Sequence, residues 1–262
     1  LDRYKNFKSY VSQKEKIIDS NTGNFNIICI DDSYTFKIYK KNKNKVIPIS
    51  KNFLEMGVYF KDGYIIDNYF KPKKFTFLET ISSSLFGNFN IENILAAYVV
   101  SKIMNIEQDI FINIIKNFIG LPHRLEIIYE NKYVKIINNS KATNVDALIK
   151  SVSNYKNIYL IVGGKAKEKD FSKILIYKDN IKKLYLIGES AIKIANQLSK
   201  KIMCQTFDTL DEAIKNIFFE TNMNLKYKTI LFSPACSSFD QFLNYEERGM
   251  HFKKLINSFY ND

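Results

Sequence analysis

The sequence predicts an α/β chain whose second half is a Rossmann-like, mostly parallel sheet, and three observations carry that reading. Beyond Val134, strand-like and helix-like segments alternate along the chain. The loops that follow three of those strands are rich in glycine, serine and other small residues. A helix stop, Gly120-Leu121-Pro122, separates the alternating half from a first half of different pattern. Regular strand–helix alternation implies crossover connections and a parallel sheet covered on both faces.

Taken in order, residues 25–39 read as extended, being rich in Ile, Phe and Tyr, and the lysine run 40–45 reads as a hairpin tip. Residues 46–49 read as a second strand and 58–66 as a third. Residues 91–104 and 110–119 then carry apolar side chains at helical spacing, and Gly120-Leu121-Pro122 ends the second of these helices. That stop divides the chain into two expected domains, residues 1–121 and 122–262. In the second, strands are expected at 134–138, 158–162, 183–187, 202–207 and 229–232. Helices are expected to begin near Thr143, Phe171, Ser190, Leu210 and Ser238.

Composition narrows the function classes. With 262 residues, 46% of them hydrophobic, the chain has enough apolar material for a substantial core. Lys and Arg number 39 against 27 Asp and Glu, a formal net charge of +12. Such an excess fits a nucleic-acid or membrane-surface partner. The lysines are scattered, however, and Lys, Asn and Ile crowd the whole sequence, so the sequence predicts no nucleic acid and no membrane insertion. The three cysteines show no paired spacing, which argues against a disulfide framework or a zinc site and fits a cytoplasmic location. The two histidines, His123 and His251, are too far apart in sequence for zinc motifs built on close pairs. No apolar run reaches membrane-spanning length and no signal peptide is visible. A chain that opens on Leu1 is expected to continue a longer polypeptide.

Ligands of an open parallel sheet bind beyond the carboxyl ends of its strands. Three loops at such ends stand out, residues 139–144, 163–167 and 233–238, and the first two add lysines. Thr143 precedes Asp146 by three positions and Ser238 precedes Gln241 by three, the spacing of a capping box. A helix amino terminus offers free N–H groups and partial positive charge to a carboxylate or phosphate, although the same residues also serve as ordinary caps. From the residues alone, the ligand is an acid or a phosphate of unspecified identity. Neither G-x-x-x-x-G-K-[ST] nor G-x-G-x-x-G occurs within the chain. Cys236 reads either as a thiol activated near a helix start or as a small buried loop residue.

Residues 233–249 (SPACSSFDQFLNYEERG), 120–124 (GLPHR), 138–144 (NNSKATN), Gly163-Gly164 with Lys167, and Leu1-Asp2-Arg3 followed by Tyr10-Val11-Ser12-Gln13-Lys14 carry a resemblance. On these residues the chain resembles the Mur ligase family, in its D-glutamate-adding branch, over essentially its whole length. The resemblance implies a partial central ATP-binding domain followed by a complete amino-acid-binding domain. The UDP-binding amino-terminal domain and the ATP phosphate loop would lie outside the chain, supplied in cis or in trans. It further implies ATP-dependent ligation of D-glutamate to UDP-N-acetylmuramoyl-L-alanine in peptidoglycan precursor synthesis, through an acyl phosphate, with ATP and Mg2+ as cofactors. The chain alone is expected to be an inactive monomer.

Residue by residue, the resemblance makes Lys14 the candidate catalytic lysine that becomes carbamylated, giving a hard metal an oxygen ligand. It places Asn90 and Asn93 near adenine, and brings Arg124 to ATP, where a guanidinium suits phosphate. Lys141, Thr143, Lys167, Ser238 and Tyr245 match positions that surround D-glutamate. Two positions depart from the family pattern. Asn139 stands where aspartate usually accepts hydrogen bonds from the ATP ribose, which predicts weaker nucleotide binding, and Phe89 replaces a common histidine. Competing readings are another amino-acid-adding Mur ligase or a folylpolyglutamate synthase, a non-catalytic fragment that keeps only D-glutamate or anion binding, and a basic protein with steeply salt-dependent DNA binding. No DNPR-like motif of the diaminopimelate-adding members occurs.

Overall fold

The computed structural model describes residues 4–18, 25–70, 74–77, 81–82, 85, 88–221 and 227–260. The chain divides into two compact units, Leu1–Ile119 and Gly120–Asp262.

The first unit comprises α1 (Phe7–Glu15), β1 (Asn26–Cys29), α2 (Ser33–Lys41), β2 (Val46–Ser50), β3 (Val58–Lys61), β4 (Tyr64–Asp67), β5 (Lys74–Phe77), α3 (Asn88–Ile103) and α4 (Gln108–Asn117). Its sheet has the order β1-β2-β3-β4-β5, with β1, β2 and β3 parallel and the last two strands antiparallel. The extended reading of residues 25–39 is corrected after β1. The Asp32 carboxylate accepts the N–H groups of Tyr34 and Thr35 at 2.8 and 3.1 Å, a cap that opens α2 despite its aromatic composition. The lysine run at 40–45 is not a hairpin tip but the end of α2 and a short 3-10 turn, because parallel neighbours require a crossover between them. Residues 58–66 are likewise two strands rather than one. Asp62 and Gly63, at φ 51° and 81°, form the turn between them, and positive φ at both central positions suits the strand twist.

Ile47, Ile49, Val58 and Ile65 of this sheet pack on Ile94, Leu95, Tyr98 and Val99 of α3 and on Phe111 and Ile115 of α4. Buried Asp67 is satisfied within this layer by the Tyr98 hydroxyl and the N–H groups of Tyr69 and Phe70.

The second unit adds β6 (Glu126–Glu130), β7 (Val134–Asn138), α5 (Val145–Val152), β8 (Ile158–Gly163), β9 (Ile181–Ile187), α6 (Ala191–Leu198), β10 (Cys204–Phe207), α7 (Leu210–Thr221), β11 (Lys228–Ala235) and α8 (Tyr245–Tyr260). The helix expected near Phe171 is a 3-10 segment, Ser172–Asn180, kinked at Tyr177. The sheet order is β10-β9-β8-β11-β7-β6, parallel except for the edge strand β6. Successive residues of the central strands serve opposite faces, as the pleat demands. Ile137, Leu160, Val162, Leu184, Leu186 and Leu231 join the core under α5, α6 and the 3-10 segment. Ile136, Ile161, Tyr185, Ile187, Ile230 and Phe232 join the core under α7 and α8. Among the described residues no helix is long and apolar enough to cross a membrane.

Candidate functional site

β7, β11 and β8 are neighbours in the second sheet and run parallel, with Phe232 opposite Asn138 and Ala235 opposite Gly163. Their carboxyl ends therefore bring together the three loops that composition singled out. After β8 the chain moves outward to β9 and β10 before α7 returns it to β11, between β8 and β7. The helix after β7 and the one after β11 pack in different cores, so the winding reverses here, which is where open sheets bind ligands.

The loops are locked to one another. Gly163 (φ 137°) and Gly164 (φ 121°) have backbones that other residues disfavour. A Cβ on the first would lie 2.0 Å from the Ile187 carbonyl oxygen, and one on the second 2.4 Å from that of Ser237. Beyond them Lys165 and Ser237 exchange backbone hydrogen bonds at 3.0 and 3.1 Å, and the Ser237 hydroxyl adds a third to the Lys165 carbonyl. Arg248 of α8, 1% exposed, ties the first loop to the third. Its Nε donates to the Ser140 hydroxyl at 3.1 Å, and its Nη2 donates to the Ser140 and Cys236 carbonyls at 2.9 and 3.1 Å. Its Nη1 has no hydrogen-bond partner. Burial lowers the guanidinium pKa to about 10. Cys236 beside it is the inert alternative of the two readings, since burial pushes its thiol up to about 12.

The predicted ligand residues fall around this knot. The Lys141 ammonium stands 3.6 Å from the centre of the Tyr245 ring, a cation–π contact that fixes both side chains. The Ser140 hydroxyl donates to the Tyr245 carbonyl at 2.8 Å, joining the same two segments through the backbone. Thr143 is half-buried in the first loop and Lys167 is exposed in the second. Ser238 is only 2% exposed.

Two expectations about helix starts are corrected. Asn144, not Thr143, caps α5, accepting from the Ala147 N–H at 2.8 Å, and the Glu168 carboxylate takes the Val145 N–H at 3.0 Å. Ser238 begins a turn rather than a helix, its carbonyl accepting from Gln241 and Phe242. α8 starts at Tyr245, where Asn244 Oδ1 accepts from the Glu247 N–H at 2.7 Å and the Glu247 carboxylate accepts from the Leu243 N–H at 2.8 Å. The helix termini near the site are thus occupied by the chain's own side chains, and its positive character rests on lysines and arginine.

Arg124 is exposed between two residues of positive φ, His123 (62°) and Leu125 (50°). This backbone is pinned on both sides. Glu126 accepts from the His123 N–H at 3.0 Å, the His123 carbonyl accepts from Lys141 N–H at 3.1 Å, and Asn139 Oδ1 accepts from Leu125 N–H at 3.3 Å. The other half of the Asn139 amide donates to the Ser233 hydroxyl at 3.2 Å. Asn139 is 8% exposed, so both ends of its amide are engaged inside the fold. The His123 ring is buried as well. Its Nδ1 accepts from Asn138 at 2.9 Å, and burial holds its pKa below the ordinary histidine value. Gly249 of α8 faces it, where a Cβ would come within 2.2 Å of the ring.

In the first unit, Lys14 is exposed on α1 with its ammonium 5.6 Å from the Tyr10 ring centre. Asn93 donates to Asn90 Oδ1 at 3.0 Å in the first part of α3. The Phe89 side chain and the Leu1-Asp2-Arg3 match lie outside the described residues. Cys29, Asp31 and Glu92 place metal-capable atoms within 4.8 Å of one another. Lys51 already pairs with both carboxylates, at 3.9 and 2.6 Å, and burial pushes the Cys29 thiol up to about 11, so the cluster is an ion-pair network.

The sequence alone singles out neither Glu168 nor Arg248, the two side chains that tie these loops to their neighbours. Arg248 stands inside the 233–249 stretch, but nothing local distinguishes a buried arginine from a solvated one on a helix. Glu168 lies among lysines and reads as a solvated partner for them.

Comparisons with known proteins agree with this architecture. Residues 1–101 match the family description "Mur ligase middle domain", and residues 123–236 match "Mur ligase, glutamate ligase domain". A protein of Rickettsia bellii named UDP-N-acetylmuramoylalanine–D-glutamate ligase is 36% identical over 98% of this chain and 58% of its own length. One of the same name from Thermoanaerobacter is 37% identical over 98% of this chain and 57% of its own length. The chain thus spans a little over half the length of these relatives. In fold it is similar to MurF from Acinetobacter baumannii, with a TM-score of 0.68 at 13% identity, over 97% of this chain and 56% of that one. It is also similar to a pseudomurein peptide ligase type C from Methanothermus fervidus, with a TM-score of 0.67 at 16% identity, over 97% of this chain and 60% of that one. Two successive domain matches, in the order of the two compact units, show that the chain belongs to the Mur ligase family.

Proposed function

We propose that this chain supplies the amino-acid-binding part of an ATP-dependent ligase that joins D-glutamate to UDP-N-acetylmuramoyl-L-alanine. The observation that carries the reading is the basic loop cluster at the ends of β7, β11 and β8, with Lys141 held over Tyr245. D-glutamate carries two carboxylates, and Lys141 and Lys167 supply positive charge for them, with the Thr143 and Ser238 hydroxyls as neutral partners. The loops orient the amino acid so that its amine, once deprotonated, faces the activated carboxyl, which lowers the entropic part of the barrier.

The residues fit ATP in part. Arg124, exposed on a pinned backbone, suits a phosphate. Asn139 does not suit the ribose, because both ends of its amide are engaged within the fold. Asn90 and Asn93 keep polar amides together on α3 for an adenine edge. Bound ATP with Mg2+ would supply the phosphoryl group that activates the carboxyl. Unmodified Lys14 offers a metal no oxygen, so a role there requires carbamylation. A phosphate loop is absent from these 262 residues, so the reading also requires that sequence elsewhere, in cis or in trans.

A second reading, a domain that binds D-glutamate or another anion without catalysis, is favoured by that absence. The test is phosphate release by the full-length polypeptide with ATP, Mg2+ and UDP-N-acetylmuramoyl-L-alanine. Release that depends on D-glutamate is expected, with none from the 262-residue chain alone. Release driven by a different amino acid and not by D-glutamate would refute the specificity.

A further inference from the structure

The second loop contains three lysines and one acid, Lys165-Ala166-Lys167-Glu168-Lys169. An acid among lysines ordinarily turns to solvent or to the nearest ammonium. Glu168 instead crosses to the neighbouring loop, where its Oε1 accepts from the backbone N–H of Val145 at 3.0 Å. Val145 is fully buried as the first residue of α5, so the anchor is fixed in the core. A carboxylate at a helix start is also favoured by the helix dipole. The Glu168 carbonyl is held in turn by the Lys193 ammonium at 3.1 Å.

On the other side of Lys167, the Ala166 N–H donates to the hydroxyl of buried Ser190 at 2.9 Å. Both chain neighbours of Lys167 are therefore tied to different helix starts, Ala166 to that of α6 and Glu168 to that of α5. Lys167 is left exposed on a backbone that cannot drift. Ordering a backbone before binding removes an entropic cost that binding would otherwise bear.

We infer that Glu168 is a positioning residue: its bond to the start of α5 sets the place of Lys167 relative to the loop carrying Lys141 and Thr143. This rests on the proposed D-glutamate site. An opposite role is available to the same contact, in which the Glu168 carboxylate occupies a place that a ligand carboxylate needs. The two differ in sign.

The experiment compares the chain with Glu168→Gln and Glu168→Ala, using amide exchange of Val145, 15N relaxation of Lys167 and calorimetric titration with D-glutamate. A Gln amide oxygen can accept the same N–H, so Glu168→Gln should behave nearly as the parent. Glu168→Ala should exchange Val145 faster, mobilise Lys167 and weaken D-glutamate about five- to ten-fold, as loss of one hydrogen bond implies. Unchanged or tighter binding in Glu168→Ala, or equal loss in both variants, would overturn the inference. Should the parent bind no D-glutamate, the proposed function is what fails. The positioning role then stands if Glu168→Ala alone speeds Val145 exchange and mobilises Lys167, and falls if it does neither.

Discussion

Each unit ties the loops after adjacent parallel strands with one buried or half-buried ionic group, but the two groups differ in sign and in closure. After β1 and β2 the hub is Asp31. It accepts from the Ser50 hydroxyl, from the Lys51 N–H at 3.0 Å and from the Asn52 amide at 3.4 Å. Lys51 then balances it and pairs with Glu92. After β7 and β11 the hub is Arg248, and all its hydrogen bonds go to carbonyls and a hydroxyl. The first hub has a counter-ion, the Lys51 ammonium. The second leaves its charge unpaired by any hydrogen-bonded carboxylate, in a knot whose loops also carry Lys141, Lys165 and Lys167. Positive groups gathered beside a sheet edge attract an anion, and this is why the candidate site is assigned to the second sheet.

The contrast can be broken by substitution. Arg248→Met should destabilise the second unit most, by roughly 3 kcal/mol or more, because three buried acceptor contacts lose their donor together. Arg248→Lys should recover only part, since an ammonium cannot reproduce the guanidinium fork. Denaturant unfolding followed by probes in this unit measures both. Asp31→Asn should cost the first unit less, about 1–2 kcal/mol, since one amide oxygen still accepts while the other contact is lost. Equal costs at the two hubs would remove the distinction drawn here.

The smallest effect concerns pH. The buried, neutral His123 has a folded-state pKa below its unfolded value, with desolvation as the main cause and the Glu126 carboxylate, 3.8 Å away, opposing it. The unfolded chain then binds the proton more readily. Stability from this group is complete above the unfolded pKa, about 6.5, and falls as pH drops below it. His123→Asn, which tolerates the positive φ, should flatten that part of the pH profile. A profile unchanged by the substitution would show that other groups carry it.

What the sequence disclosed follows from where information is local. The strand reading of 134–138 coincides with β7, and those of 158–162 and 229–232 lie within β8 and β11, because strands buried on both faces are continuous apolar runs. β6 was missed because Glu126–Glu130 lies at an edge, only partly buried, with its short apolar run Ile127-Ile128-Tyr129 flanked by acids. Asp32 and the Asp62-Gly63 pair held the signals for α2 and the β3–β4 turn, but the surrounding aromatic and isoleucine residues suggested continuous strands. The loop cluster was legible from composition and from the resemblance.

The false helix start at Ser238 shows the opposite case. Asp240 accepts from the Glu189 N–H at 3.2 Å and Gln241 donates to the Asp208 carbonyl at 2.8 Å, so this stretch is strapped to the loops after β9 and β10 and turns helical only at Tyr245. No local spacing encodes that. Asn139 is similar: the resemblance predicts a weakened nucleotide contact, while the fold gives its amide to Leu125 and Ser233.

The central claim is that the basic edge of the second sheet receives D-glutamate. The most direct measurement is a 1H–15N titration of the chain with D-glutamate, and with L-glutamate as control. The account predicts shifts concentrated at Lys141, Thr143, Lys167 and Tyr245, larger for the D isomer. Equal responses to both isomers, or shifts confined to other surfaces, would contradict it.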